Sequence, residues 1–145
     1  MSTAWDSRFE TKIYDIDSQH KRLFALLSNL EAVFQENPNN LLSKIDEIKE
    51  AINALEDYTL SHFLIEERVM EKNNYPEIEK HKLQHDAFTD KIFEMKKKFA
   101  GDTVSHSEAE LHKFLENLIS FLGDWLINHI LKQDMDYKPY IKYSL

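Results

Sequence analysis

Four stretches of this chain place apolar residues at alternating steps of three and four, and five of its seven histidines fall on those same seams. The first seam runs His20, Leu23, Leu27, Leu30, Phe34. The second runs Ile45, Ile48, Ile52, Leu55, Thr59, His62, Glu66, Val69, and the third Ile78, His81, His85, Phe88, Ile92, Met95, Phe99. The fourth is Leu111, Leu115, Leu118, Leu122, Trp125, His129. Such spacing keeps side chains on the one helix face that packed helices turn inward. A polar group buried there without a partner is costly, so five imidazoles and Glu66 need something to bind. Metal is the economical candidate. His62 with Glu66, and His81 with His85, are four residues apart and share a helix face, as two ligands to one centre would.

Three breaks separate the seams. Glu36-Asn37-Pro38-Asn39-Asn40 ends the first helix, with Asn40 placed to cap the second. Asn73-Asn74-Tyr75-Pro76 ends the second, and Pro76 suits the first turn of the third. Gly101-Asp102-Thr103 ends the third, after which Ser107 and Glu110 have capping-box spacing. Helices are therefore expected near 18–36, 41–72, 77–100 and 107–132. With only two glycines and three prolines in 145 residues, the chain reads as all-α and as one domain, 1–145. Short connections between long helices predict an up-down-up-down antiparallel four-helix bundle. Residues 1–16 form an N-terminal arm whose Trp5, Phe9, Ile13 and Tyr14 are expected to pack on the bundle. Tyr137, Tyr140 and Tyr143 mark a short C-terminal tail.

A net charge of −8 argues against nucleic acid or an anionic membrane as partner. Lys96, Lys97 and Lys98 read as a solvated face at the C-terminal end of the third helix, where cations suit the dipole. The absence of cysteine excludes disulfides, thiol catalysis and iron–sulfur clusters. The first ten residues lack the apolar core of a signal peptide, and Leu115 to Leu131, the most apolar stretch, is interrupted by Glu116, Asp124 and His129. A cytoplasmic protein is expected.

Direction along the helices matters. His20 opens the first helix and His62 and Glu66 lie toward the end of the second; His81 and His85 open the third, and His129 closes the fourth. In an antiparallel bundle those ends form one layer, too rich in donors for a single metal. His106 and His112 fall off the seams and read as surface residues. A second carboxylate is expected to offset the charge of two metals, and both Asp134 and Asp136 are available. Asp136, seven residues past His129, continues the seam. Asp134, five past it, lies about 140° round an ideal helix. Spacing leaves both open.

The segments Ile16-Asp17-Ser18-Gln19-His20-Lys21, His62-Phe63-Leu64-Ile65-Glu66-Glu67, Tyr75-Pro76, His81-Lys82-Leu83-Gln84-His85 and His129-Ile130-Leu131-Lys132-Gln133-Asp134, with Trp5-Asp6 in the arm, resemble the hemerythrin family, specifically its bacterial single-domain members. The resemblance selects Asp134. It implies two oxo- or hydroxo-bridged non-haem irons that bind dioxygen reversibly. His81, His85 and His129 would hold one iron, His20 and His62 the other, with Glu66 and Asp134 bridging. Three imidazoles and three bridges fill six positions on the first iron. The second, with two imidazoles, keeps one position open for dioxygen. The resemblance further points to Leu126 and Ile130 as lining the oxygen pocket; Phe63 and Trp125 serve equally as pocket wall or ordinary core.

The expected function is thus oxygen transport, storage or sensing rather than catalysis, by a monomer or weak homo-oligomer whose protein partner is unspecified. The rivals are a di-iron enzyme (ferroxidase, peroxidase or nitric-oxide-handling), an iron store, a zinc-filled bundle and a signalling module. Carboxylate-rich di-iron bundles carry Glu-x-x-His pairs; this chain has none on its second and third helices, and mostly neutral ligands favour reversible binding.

Overall fold

Each seam becomes the buried face of a helix. The computed structural model describes residues 4–101 and 104–142. Its four long helices are α1 (Tyr14–Glu36), α2 (Ile45–Lys72), α3 (Ile78–Ala100) and α4 (Glu108–Asn128). No strand occurs among the described residues. Helix α1 packs on α2 and α4, α2 on α3, and α3 on α4. The result is an all-α four-helix bundle. Leu23, Leu27, Leu30, Ile48, Ile52, Leu55, Phe88, Ile92, Leu111, Leu115, Leu118 and Leu122 fill its core. Burying each such side chain contributes roughly 1.5–3 kcal/mol. No described helix is long and apolar enough to cross a membrane.

Helix starts depart from their expected chemistry. Helix α1 begins at Tyr14 rather than 18, because Ile13 and Ile16 are drawn into a second apolar cluster with Val69, Met70, Tyr75 and Tyr137. Asp17 then sits in the first turn and accepts from the backbone N–H groups of Thr11 (2.8 Å) and Lys12 (3.0 Å) and from the Thr11 hydroxyl (2.7 Å). That grip holds the entry turn, where Lys12 takes a left-handed φ of 66°. Asn40 makes no side-chain cap; a 3₁₀ turn, Leu41–Lys44, precedes α2. Its free N–H groups at Leu41 and Leu42 donate instead to Glu108 of α4, at 2.8 and 3.0 Å. Pro76 lies in the turn before α3, whose cap position is Glu77. Ser107 does cap α4, accepting from the Glu110 N–H at 3.4 Å.

The arm is anchored by Phe9, 5.0 Å from the Phe24 ring, and by Trp5, which carries the Lys21 ammonium 4.5 Å from its ring. Tyr14 departs from expectation: it is 83% exposed, because the helix begins there and turns it outward. Of the tail tyrosines, Tyr137 is fully buried and Tyr140 is largely exposed. Tyr143 lies outside the described residues, as do Asp102, Thr103 and residues 1–3.

Candidate metal centre

Helix α4 does not stop at 132. It widens into a π-helical turn, His129–Asp134, in which the Met135 N–H reaches back five residues to the Ile130 carbonyl. A short α segment, α5 (Met135–Tyr137), follows. A turn with one extra residue brings positions five apart onto one face. Asp134 consequently joins His129 on the inner face and is fully buried, while Asp136 is exposed. Spacing leaves the two aspartates open because the helix is not ideal there.

His20, His62, Glu66, His81, His85, His129 and Asp134 all converge at this end of the bundle, each at most 4% exposed. Their donor atoms form two groups, Glu66 with His81, His85 and His129, and His20, His62, Glu66 and Asp134. Within each group the donors lie within 4.8 Å of one another. Each carboxylate divides its oxygens between two histidine sets. Glu66 Oε1 lies 2.8 Å from His81 Nε2, 3.0 Å from His85 Nε2 and 3.5 Å from His129 Nε2. Its Oε2 lies 3.2 Å from His62 Nε2 and 3.7 Å from His20 Nε2. Asp134 likewise turns Oδ1 to His129 (2.9 Å) and His81 (3.3 Å), and Oδ2 to His20 (2.9 Å).

Closeness is not the same as pairing. His20 Nε2, His62 Nε2 and both Asp134 oxygens are buried without a correctly angled hydrogen bond. Buried polar atoms are rarely left so. The Nε2 atoms of His81, His85 and His129 do hydrogen-bond Glu66 Oε1, but the four orphaned atoms call for a cation, and imidazole nitrogen with carboxylate oxygen suits a transition metal.

Electrostatics show how tightly the layer is wired. Burial is the largest influence on His20 and opposes its charge, yet Asp134 and Glu66 outweigh it and raise the imidazole to about 9. His81 is raised to about 10 by the same balance, and His129 is raised too. In His62 burial prevails and the imidazole is lowered. Burial pushes Glu66 and Asp134 up, but the surrounding imidazoles pull both carboxyls below their ordinary range.

Three residues behind the donors were not singled out from the sequence. The His85 Nδ1–H donates to Glu67 at 2.8 Å, and the His62 Nδ1–H to Gln19 at 2.6 Å. The Tyr137 hydroxyl donates to Glu66 Oε2 at 3.0 Å. Gln19 and Glu67 each neighbour a donor in the chain, and Tyr137 is one turn past Asp134; that proximity was the available signal.

Apolar groups wall the layer. Phe63 stacks on His85, ring centres 3.8 Å apart, and Trp125 on His129, 4.4 Å apart. Ile130 is fully buried. Leu126 and Trp125 border a small apolar void with Leu23, Leu27, Phe88 and Leu122, leaving about 10 Å³ for the centre of a water-sized molecule. Thr59 also lines it, but its hydroxyl is committed to the Leu55 carbonyl at 2.6 Å. Away from this layer, His106 is exposed and His112 is half-buried, its ring 4.8 Å from that of Phe34.

A four-helix bundle with two histidine–carboxylate groups sharing one buried layer defines a class of cation-binding bundle. The chain belongs to the hemerythrin family: the hemerythrin HHE cation binding domain matches residues 11–141. The bacteriohemerythrin of Pseudomonas aeruginosa is 32% identical over 143 residues, covering 98% of this chain and 83% of that protein. That of Methylococcus capsulatus is 32% identical over 133 residues, covering 92% of this chain and 91% of its own. A crystal structure of wild-type hemerythrin superposes with a TM-score of 0.77 at 28% identity, covering 99% of this chain and all of that one.

Proposed function

We propose that this chain, as a single domain, binds dioxygen reversibly at a non-haem di-iron centre and serves as a carrier, store or sensor. The observation that carries this reading is the division of Glu66 and Asp134, each with one oxygen toward either histidine set. A carboxylate so placed is built to span two ions. His81, His85 and His129 would hold one iron, and His20 and His62 the other. The pair would supply two electrons and one open coordination position to dioxygen.

The remaining work belongs to the chain. With two imidazoles rather than three, the His20–His62 side is where a small ligand is admitted. Leu126 and Ile130 keep water from that position, and Phe63 and Trp125 shield His85 and His129 from behind. A dry pocket favours release of dioxygen intact over its loss in reduced form. Binding rather than turnover is favoured, since among the described residues the acid–base groups at the donor layer beyond the proposed ligands are Tyr137 and Glu67, both engaged with those ligands.

Anaerobic loading with Fe(II), then titration with oxygen under visible absorption, tests the reading. Two irons per chain, one dioxygen per pair and reversal under vacuum are expected. One tightly held metal per chain, zinc retained under iron-replete expression, or steady consumption of peroxide or Fe(II) would overturn it.

A further inference from the structure

The two proposed metal positions differ in more than their number of imidazoles. In each set, one histidine is held from behind by a side chain of another helix. Behind His85 stands the Glu67 carboxylate, Oε2 to Nδ1 at 2.8 Å; behind His62 stands the Gln19 amide, Oε1 to Nδ1 at 2.6 Å. Both contacts place the ring proton on Nδ1 and so present Nε2 inward. One acceptor is anionic and the other neutral. A charged acceptor draws the Nδ1 proton harder and gives the ring a more anionic, better-donating Nε2. Tyr137 acts in the same direction from the other side. Its hydroxyl donates to Glu66 Oε2, the oxygen that faces His20 and His62, and withdraws electron density mainly on that side.

We infer that Glu67 is a positioning residue that makes the two metal positions unequal, so that the His81–His85–His129 position fills first and empties last. The His20–His62 position is then the exchangeable one, and a single equivalent of metal collects on one side rather than spreading over both. This rests on the two-metal reading above. Glu67 touches neither metal nor oxygen; it acts through His85. Its side chain is 23% exposed at the α2–α3 boundary, so an isosteric change there does not disturb the core.

The experiment is a titration of the full-length, metal-free chain with Co(II) alone, followed by visible absorption and calorimetry. The unaltered chain is expected to take up two equivalents in two resolved steps. Glu67→Gln keeps the shape and an acceptor but removes the charge. It should weaken the first step by about 10–100-fold, the usual effect of losing such a partner, and leave the second unchanged. Gln19→Glu places a charge behind His62 and should strengthen the second step by on the order of tenfold. The two steps should merge when both changes are combined. Circular dichroism confirms that the variants fold. Equal weakening of both steps in Glu67→Gln would mark a packing role and overturn the inference, as would no change at all, or an unmoved second step in Gln19→Glu. Fewer than two Co(II) per unaltered chain would instead overturn the two-metal reading from which the inference starts.

Discussion

Glu66 is the residue on which the layer turns, with five imidazoles and a phenol arranged around two oxygens. Asp134 shares that spanning role in the proposed centre, whereas Asp136 faces solvent. Asp134→Ala should therefore lower the content of both irons and abolish the oxygenated spectrum, while Asp136→Ala leaves both intact; iron analysis beside absorption spectra decides. Ile130 has a different task. Truncation to Ala should cost about 2–5 kcal/mol of stability and shorten the life of the oxygenated form, with iron content preserved. Unchanged autoxidation in that variant would place Ile130 outside the pocket. The inward histidines were legible in the sequence because helical periodicity alone selects them. Gln19, Glu67 and Tyr137 were not, since each reaches the layer by a side-chain path that no seam period marks. Glu67 is the clearest case. It follows Glu66 in the chain, points about 100° away from it round the helix, and finds His85 only because α3 packs there.

At the scale of elements, the wide turn His129–Asp134 is a one-residue insertion in an otherwise regular helix. Removing the exposed Lys132 should close it into an ordinary α-turn and leave His129 and the aspartate four apart, still on one face. That variant is expected to keep its metal. Removing the exposed Asp124 one turn earlier should rotate His129 by about 100° out of the layer and lose it. Metal content of the two deletions settles the point; equal loss would show that the wide turn itself is required. The same segment explains why spacing left Asp134 and Asp136 open, because the seam argument presumes 3.6 residues per turn throughout. Helix starts were equally opaque where the cap is distant. The groups at Leu41 and Leu42 are satisfied by Glu108, from a helix that follows much later in the chain. Glu108→Ala should cost about 1–3 kcal/mol, measurable by urea unfolding, with the metal layer unaffected.

For the whole molecule, the polar layer lies between the main apolar core and the smaller cluster of Ile13, Ile16, Val69, Met70, Tyr75 and Tyr137, and layer and core should respond separately to metal. Without metal, Leu, Ile and Phe packing should keep the bundle folded. Hydrogen-exchange protection should fall selectively around His20, His62–Glu66, His81–His85 and His129–Asp134. Acidity should act in opposite senses on the two forms. In the metal-free chain His20 and His81 are raised from 6.5 to about 9 and about 10. Their attraction to the buried carboxylates therefore stabilises fully below 6.5 and is lost as pH climbs through 9 and 10. His62, lowered by burial, opposes this at the acid side but is outnumbered, since His129 is raised as well. In the loaded chain protons compete with metal for Nε2, so acid removes the stabilisation that metal confers. Melting temperatures across this range should rise toward acid without metal and fall toward acid with it. Parallel curves would contradict the assignment.

The donors come from the opening of α1, the turn after α4 and the facing ends of α2 and α3, so the layer ties the first and last helices to the middle pair where arm and tail join the bundle. That makes it a mechanical fastening. Once the arm's own anchors at Phe9 and Trp5 had given way, tension between the start of α1 and the segment after Asp134 would load the layer before the leucines further along the helices. A filled centre should resist peeling of the first and last helices and yield in one abrupt event, while an empty one should let them come away gradually, end first.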